Sequence, residues 1–264
     1  MVLLVLAAIM FGCTETAEET NPIIHSGETI TTNTTWSAAN NPHTIKSYVK
    51  VIGAVLTIEP GAVVKFESGA KIEITGNNSG LTANGTAERN ITFTSASSSP
   101  QPGDWGYFLL ADASVVSIKH AVIEYGGANS SYGMLYVQNS AQVSIENSII
   151  RHSLHIPVKA NDQNGFTSFA NNTVISTDKH AIALLGKNVG TIGASNIFQV
   201  TGNFGILIES SSYIDITTSA TWVKQTVPYF IDDNMRIYNS AVLTVGPGTI
   251  FKINPLYGIQ IGYN

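Results

Sequence analysis

Charge is scarce in this chain: charged residues make up 12% of its 264 positions, with 13 Lys and Arg against 18 Asp and Glu. Only three of the cations are arginines, and the formal net charge is −5. No basic patch can be assembled from that set, which argues against nucleic acid as a partner. A single cysteine, Cys13, excludes an intrachain disulfide framework. Long helical periodicity is also missing. No Gly-rich phosphate loop opens a helix, because no convincing helix follows any of the glycines.

What the chain does have is short apolar–polar alternation and abundant Gly, Ser, Thr and Asn. In Leu56-Thr57-Ile58, Val64-Lys65-Phe66 and Lys71-Ile72-Glu73-Ile74 the period is two, which turns one set of side chains inward and the other outward. Pro60-Gly61 and Ser68-Gly69 separate these runs and are turn formers. Three short strands with tight corners make one rung of a solenoid. Hairpins would call for longer strands and two-residue Asn-Gly or Asp-Gly loops. Ser95 to Gly103, with its serines and prolines, reads as a loop pushed out of a rung, and Asp104-Trp105-Gly106 brings the chain back.

An internal repeat supports this reading. Ala54 to Phe66, AVLTIEPGAVVKF, returns as Ala241 to Ile253, AVLTVGPGTIFKI, with seven of thirteen positions identical and four more exchanging one apolar residue for another. Trp36, Pro42 and Ile45 recur as Trp222, Pro228 and Ile231, each 186 residues on. Self-similarity of this kind marks a repeat architecture. The expected fold is all-β, a parallel β-helix with three-strand rungs of about 21–27 residues. Met134–Val137, His155–Val158, Ala181–Leu184 and Gly205–Ile208 are the expected equivalent strands, with last residues stepping by 21, 26 and 24. Asn147, Asn172 and Asn196, at spacings of 25 and 24, are expected to stack as a ladder at one corner. Ser117–Glu124 aligns with Ser144–Arg151 at an offset of 27, which lays Lys119 over Glu146 and Glu124 over Arg151, two complementary pairs.

Three further sequence features bear on placement. Val2 to Phe11 is an apolar run, too short to span a bilayer and suited to a signal-peptide core. It ends in Met10-Phe11-Gly12-Cys13, so residues 1–13 are expected to be a lipoprotein signal with lipid attached at Cys13. Residues 14–35 read as an acidic, polar tether, residues 36–264 as the solenoid, and 222–264 as a partial second copy of its first module. An open terminal rung exposes core and strand edges. The chain is therefore expected to be a fragment of a longer repeat protein, or to cap by association.

AVLTIEPGAVVKF, LTANGTAERNITFTS, PGDWG at Pro102–Gly106 and IKHAVIEYGG at Ile118–Gly127 resemble the right-handed parallel β-helix proteins of bacterial surfaces, which share the three-strand rung of pectate lyases. The resemblance covers Trp36 to the last residue. It implies an exported, lipid-anchored protein of the bacterial outer membrane or cell surface, contacting the membrane through Cys13 and polysaccharide or another surface protein through its body. Fold alone does not license a reaction.

Catalysis is poorly supported by the residues. Lyases of this fold class need outward carboxylates that hold calcium and an Arg or Lys base. Glycosidases need carboxylates on neighbouring rungs. Asp232-Asp233 is the only adjacent carboxylate pair in the solenoid; its counterparts in the first copy are Lys46 and Ser47, and it reads as a turn feeding Met235-Arg236-Ile237. The Asn-Thr-Asp, Asp-Asp, Gly-His-Gly, Arg-Ile-Lys series of polygalacturonases is absent in that order. His152 and His155, three apart, do not have the two-residue spacing of metal ligands on a strand. No catalytic residue, metal or cofactor is therefore expected. Tyr125, Tyr132 and Tyr136, among glycines, serines and asparagine, are the candidates for glycan contact. The expected function is a non-catalytic surface scaffold for adhesion, glycan contact or display. The alternative is a carbohydrate-active enzyme, a polysaccharide lyase or glycosidase, with its site on an outward sheet face. Ice binding would need a Thr-x-Thr ladder, and Thr92–Thr94 does not recur at rung spacing.

Overall fold

A computed structural model of the chain describes residues 21–161, 165–210 and 213–263. The proposed signal and lipid site at Cys13 lie outside the described residues. The fold is a right-handed parallel β-helix. Its strands are three to five residues long and fall into sheets of ten, eight and six strands, with smaller sheets of three and two. Every strand pairing among the described residues is parallel. The longest sheet runs from Glu28–Ile30 to Phe251–Ile253. Ten strands at about 4.8 Å make a body roughly 45 Å long.

Alternation within each strand builds the core. Val55–Ile58, Val63–Phe66 and Lys71–Thr75 lie in the six-, eight- and ten-stranded sheets, one rung of the solenoid. In each, every second residue is buried: Leu56 and Ile58, Val64 and Phe66, Ile72 and Ile74. The next rung places Leu81 over Leu56, Phe93 over Val64 and Phe108 over Ile72. Like sits on like, so each rung closes the apolar face of the one before.

The solenoid begins earlier than the sequence indicates. Ile23–His25, Glu28–Ile30 and Thr34–Trp36 form a complete first rung, all of it but Trp36 inside the segment read as tether. Its inward positions carry His25, Ile30 and Trp36, all buried. His25 stacks on Trp36 at 4.1 Å between ring centroids, and Trp36 on His43 at 5.1 Å. A histidine at an inward position, followed by Ser26 and Gly27, gives no apolar alternation to read.

Rung length also varies more than expected. Ile23 pairs with His43, 20 residues on, whereas Ile74 pairs with Leu110, 36 residues on. The long rung carries the ejected segment between Ile91–Ser95 and Phe108–Ala111. Val158 pairs with Leu135 and Ala160 with Val137, so the strand expected at His155–Val158 is Val158–Ala160. A slip of two residues keeps every side chain on its own face, which is why the alternation did not reveal it.

The two copies of the repeat occupy different sheets. Val55–Ile58 belongs to the six-stranded sheet, while Leu243–Val245 pairs with Ala220–Trp222 in a separate two-stranded sheet. The change begins at a 3₁₀ segment, Gly186–Thr191, over which the later rung packs. A Cβ at position 186 would fall 2.4 Å from Ile214 Cγ2, so the close approach requires glycine. Beyond Ile197–Val200 the eight-stranded sheet ends. Thr226 stands in for its next strand, Oγ1 accepting from Phe198 N at 2.8 Å and donating to Phe198 O at 2.9 Å.

Two histidines make the fold sensitive to acid. Burial holds the His25 imidazole below its ordinary value of 6.5, against the pull of the Glu28 carboxylate 2.8 Å away. Burial lowers His180 in the same way. A histidine depressed in the folded state binds fewer protons than in the unfolded chain, so stability is present above the unfolded value and is lost as pH falls below 6.5 toward the folded value. The thermal midpoint is expected to fall between about pH 7 and about pH 5, before most carboxylates titrate. A midpoint that is level or rising over that window would contradict this.

Candidate functional site

The outer face of the ten-stranded sheet presents one long register of outward residues. Glu73, Leu109, Tyr136 and Lys159 follow one another on successive strands, and Ala183, Leu207, Phe230 and Lys252 continue the line. Two features of this face carry chemistry.

The first is a tyrosine cluster. Tyr132 lies 4.6 Å from Tyr107 and 4.9 Å from Tyr136, centroid to centroid. Tyr136 is there because Leu135 and Val137 take the inward positions of its strand. Tyr132 is held by a loop that the Asn129 side chain closes, Oδ1 accepting from Ser131 N at 2.9 Å and from Tyr132 N at 3.3 Å. Gly133 N donates to Asn129 O, and Gly133 sits at φ +70°, where glycine is favoured. Tyr107 precedes its strand, and its hydroxyl accepts from Lys71 Nζ at 3.2 Å. Lys71 also pairs with Glu73 at 2.7 Å, and that carboxylate holds the ammonium above its usual pKa. All three tyrosines are half-buried.

Of the three tyrosines singled out in the sequence, the structure joins Tyr132 and Tyr136 and leaves Tyr125 apart. Tyr125 lies just past the strand Ala121–Glu124 of the eight-stranded sheet, at φ +66°, with its ring stacked on His152 at 4.9 Å and 8°. Tyr107 is the member that sequence reasoning missed. It follows the ejected loop, where counting rungs fails.

The second feature is a groove further along the same face. Two depressions, of about 310 and 530 Å³, share Leu207 and Asp232. The larger is lined by Lys159, Glu209, Ser210 and Asp233, the smaller by His180, Phe230, Lys252 and Asn254. Asp232 and Asp233 lie at the corner between Tyr229–Ile231 and Met235–Tyr238, not on a strand. They form the turn read from the sequence, strand alternation does not part them, and both reach the groove. Each is already engaged. Asp233 Oδ2 accepts from Ser210 Oγ at 2.8 Å and its Oδ1 from Asn234 N at 2.7 Å, while Asp232 Oδ1 accepts from Asn254 Nδ2. Lys159 Nζ lies 3.4 Å from Glu209 Oε1, two strands away, and Glu209 Oε2 is buried with no donor among the described residues. Lys252 donates to Asn203 and stands 5.2 Å from the Phe230 ring. Among the described residues no group of three or more His, Cys, Asp or Glu is placed to hold a metal ion.

The ladder residues lie on other faces. Lys119 Nζ is 3.0 Å from Glu146 Oε2 across the six-stranded sheet, and Arg151 Nη2 is 2.8 Å from Glu124 Oε2, each the last residue of its strand in the eight-stranded sheet. Glu124 is buried and also accepts from Thr94 Oγ1 at 3.0 Å. Glu146 is held below its usual pKa by a hydrogen bond from Ser168 and then by Lys119. A further pair, Arg236 with Asp215, is bidentate at 2.7 Å for both contacts and holds the Asp215 carboxyl low.

The asparagine ladder exists in a different register. Asn196 Oδ1 accepts from Asn172 N at 2.9 Å, Asn172 Oδ1 from Ser148 N at 3.0 Å, and Ser148 Oγ from Ala121 N at 3.1 Å. The third member is Ser148. Asn147 is exposed and sits one position earlier, at φ +52°, in line with His120 at +45° and Asn171 at +59°. That corner needs the left-handed conformation that Asn adopts readily, so two adjacent columns each favour Asn for a different reason.

Against models of known families, residues 28–175 match a pectate-lyase-like β-helix domain, more than half of the chain. No curated protein matches, and no solved structure does. The tyrosine cluster falls within the matched residues. Most of the groove, with the rungs beyond Gly186, falls outside them.

Proposed function

The chain belongs to the pectate-lyase-like β-helix family, a carbohydrate-related group of scaffolds and enzymes, and we propose that it is a non-catalytic scaffold that contacts glycan through the outer face of its ten-stranded sheet. The observation that carries this reading is the packed trio Tyr107, Tyr132 and Tyr136. Aromatic faces pack against the apolar faces of sugar rings, while Lys71, Glu73 and the tyrosine hydroxyls offer hydrogen bonds to sugar hydroxyls. Pairwise neutralisation of the outward charges supports a display surface. The apolar run before Cys13 supports export and lipid anchoring at that residue, on a bacterial outer membrane or cell surface.

One observation favours a second reading. Glu209, Asp232 and Asp233 reach one depression with Lys159, and Glu209 Oε2 has no donor among the described residues, an arrangement suited to a carbohydrate-active enzyme. A panel of polyuronates and neutral glucans, with and without calcium, separates the two. We expect at least one glycan to retard the protein in affinity electrophoresis, and Tyr136→Ala to weaken that binding about tenfold, the loss of ~1.4 kcal/mol. The ring lies on the outer face, so folding is expected to survive. Binding unchanged in Tyr136→Ala would remove the tyrosine cluster from the account.

A further inference from the structure

The groove does not stop at the edge of the ten-stranded sheet. A third depression, of about 260 Å³ and so at the small end of the range for ligand pockets, shares Leu185, Glu209 and Ser210 with the larger of the other two. It turns the corner onto the three-stranded sheet, where Tyr213, Asp215 and Tyr238 line it. Strand alternation puts these side chains there. Ile214 and Ile216 are buried in one strand, Met235 and Ile237 in the next, which turns Asp215, Arg236 and Tyr238 outward. Register sets Asp215 beside Arg236, and both guanidinium contacts to the carboxylate are 2.7 Å. The guanidinium so fixed lies 3.7 Å from the centroid of the Tyr213 ring and 5.6 Å from that of Tyr238. The Tyr238 hydroxyl donates to Asp215 Oδ2 at 3.3 Å. Tyr213 is 44% exposed. With the guanidinium over one face, what its ring shows to solvent is the other face and the edge.

These are the parts of a sugar platform: an aromatic ring stiffened from behind, with carboxylate, hydroxyl and guanidinium groups beside it. Charge decides which sugars suit it. In the two joined depressions and their ion pairs, Glu209, Asp215, Asp232 and Asp233 stand against Lys159, Lys187 and Arg236, four carboxylates to three cations. Lys159 and Arg236 are already held by Glu209 and Asp215. Glu209 Oε2, on the shared wall, is buried with no donor among the described residues. A further carboxylate brought here would meet acceptors in excess, whereas sugar hydroxyls donate as well as accept.

We propose that Tyr213, backed by Arg236, is a second glycan-contact platform and that its ligand is a neutral polysaccharide. The inference rests on the reading of this protein as a glycan-contacting scaffold, but not on the trio Tyr107, Tyr132 and Tyr136. The platform lies beyond residue 175, outside the matched family domain, and on a different sheet from that trio. Two platforms on one rigid body bind a polymer more tightly than either does alone.

Affinity electrophoresis in gels holding a soluble neutral glucan, a neutral galactan or polygalacturonate tests it, with Tyr213→Ala, Tyr213→Phe and Tyr136→Ala compared. Tyr213→Ala is expected to weaken binding to at least one neutral glycan about tenfold, the loss of one aromatic stack. Tyr213→Phe keeps the ring and is expected to bind as the wild type does. The Tyr213 ring is partly exposed and Arg236 remains held by Asp215, so the circular dichroism spectrum should not change in either variant. Unchanged binding in Tyr213→Ala would overturn the platform, and if Tyr136→Ala then loses binding, the tyrosine cluster stands without it. The reverse pattern would uphold the platform and remove the cluster. Retention in polygalacturonate that depends on Tyr213 would overturn the assignment of a neutral ligand. A wild type that no neutral glycan retards would overturn the proposal, and one that no glycan of any kind retards would overturn the parent reading with it.

Discussion

Trp105→Ala should lower the unfolding free energy by about 3–5 kcal/mol, the range for removing a fully buried aromatic side chain. Trp105 is completely buried although it belongs to no strand. Its ring stacks on Phe66 at 4.3 Å and meets Phe108 edge-on at 5.7 Å, and Phe108 in turn meets Phe93 at 5.1 Å. The ring plugs the core where the longest rung leaves the solenoid and returns. Its Nε1 donates to Glu124 O at 2.8 Å, a buried hydrogen bond that alanine would remove. Gly126 packs so tightly on the ring that a Cβ there would lie 2.5 Å from it. The surroundings are strand backbone held by parallel ladders and can collapse only a little, which places the cost toward the upper end of the range. Urea unfolding followed by circular dichroism checks it, and a loss under about 1 kcal/mol would show that the ring does not carry the packing assigned to it.

Asn172→Leu should cost about 2–5 kcal/mol, even though leucine has a similar shape and greater hydrophobicity. The Asn172 side chain accepts from Ser148 N at 3.0 Å and donates to Ile145 O at 2.8 Å, and all of this is buried. Leucine would orphan the Ser148 N–H, worth about 1–3 kcal/mol of desolvation left uncompensated, and would remove the buried hydrogen bond to Ile145 O. Asn147→Gly is the contrast. That side chain is exposed and its backbone is left-handed, so glycine should shift stability by less than about 1 kcal/mol. If the two variants cost the same, the ladder does not run through Ser148, Asn172 and Asn196.

That contrast shows where the sequence was readable. Alternation in Leu56–Ile58 or Lys71–Ile74 reports burial directly, because strand side chains have two sides and one is apolar. Complementary charge then locked one register, and Lys119 over Glu146 is the pairing found. Other features left no such mark. Ser148 and Asn172 play one structural part with different side chains, so a search for asparagines fell one column over, onto Asn147. His25 hid the first rung because its inward side chain is polar. The repeat specified a rung but not the side of the solenoid on which it falls. That side is set by the 3₁₀ segment at Gly186–Thr191 and its packing under Ile214 and Thr221. Tyr107 escaped for a related reason, since its neighbours on the sheet are 25 and 29 residues away across loops of unequal length. Asp232 and Asp233 read as a turn and lie at a corner, but nothing in the sequence shows that this corner borders a groove.

Everything functional turns on whether the ten-stranded face holds sugar or breaks it. Product formation on the glycan panel, read as unsaturated uronate and as new reducing ends, with and without calcium, asks this most directly. The account predicts binding with no product under either condition. Product that appears with the wild type and disappears in Glu209→Gln or Asp232→Asn would contradict it and make the groove an active site.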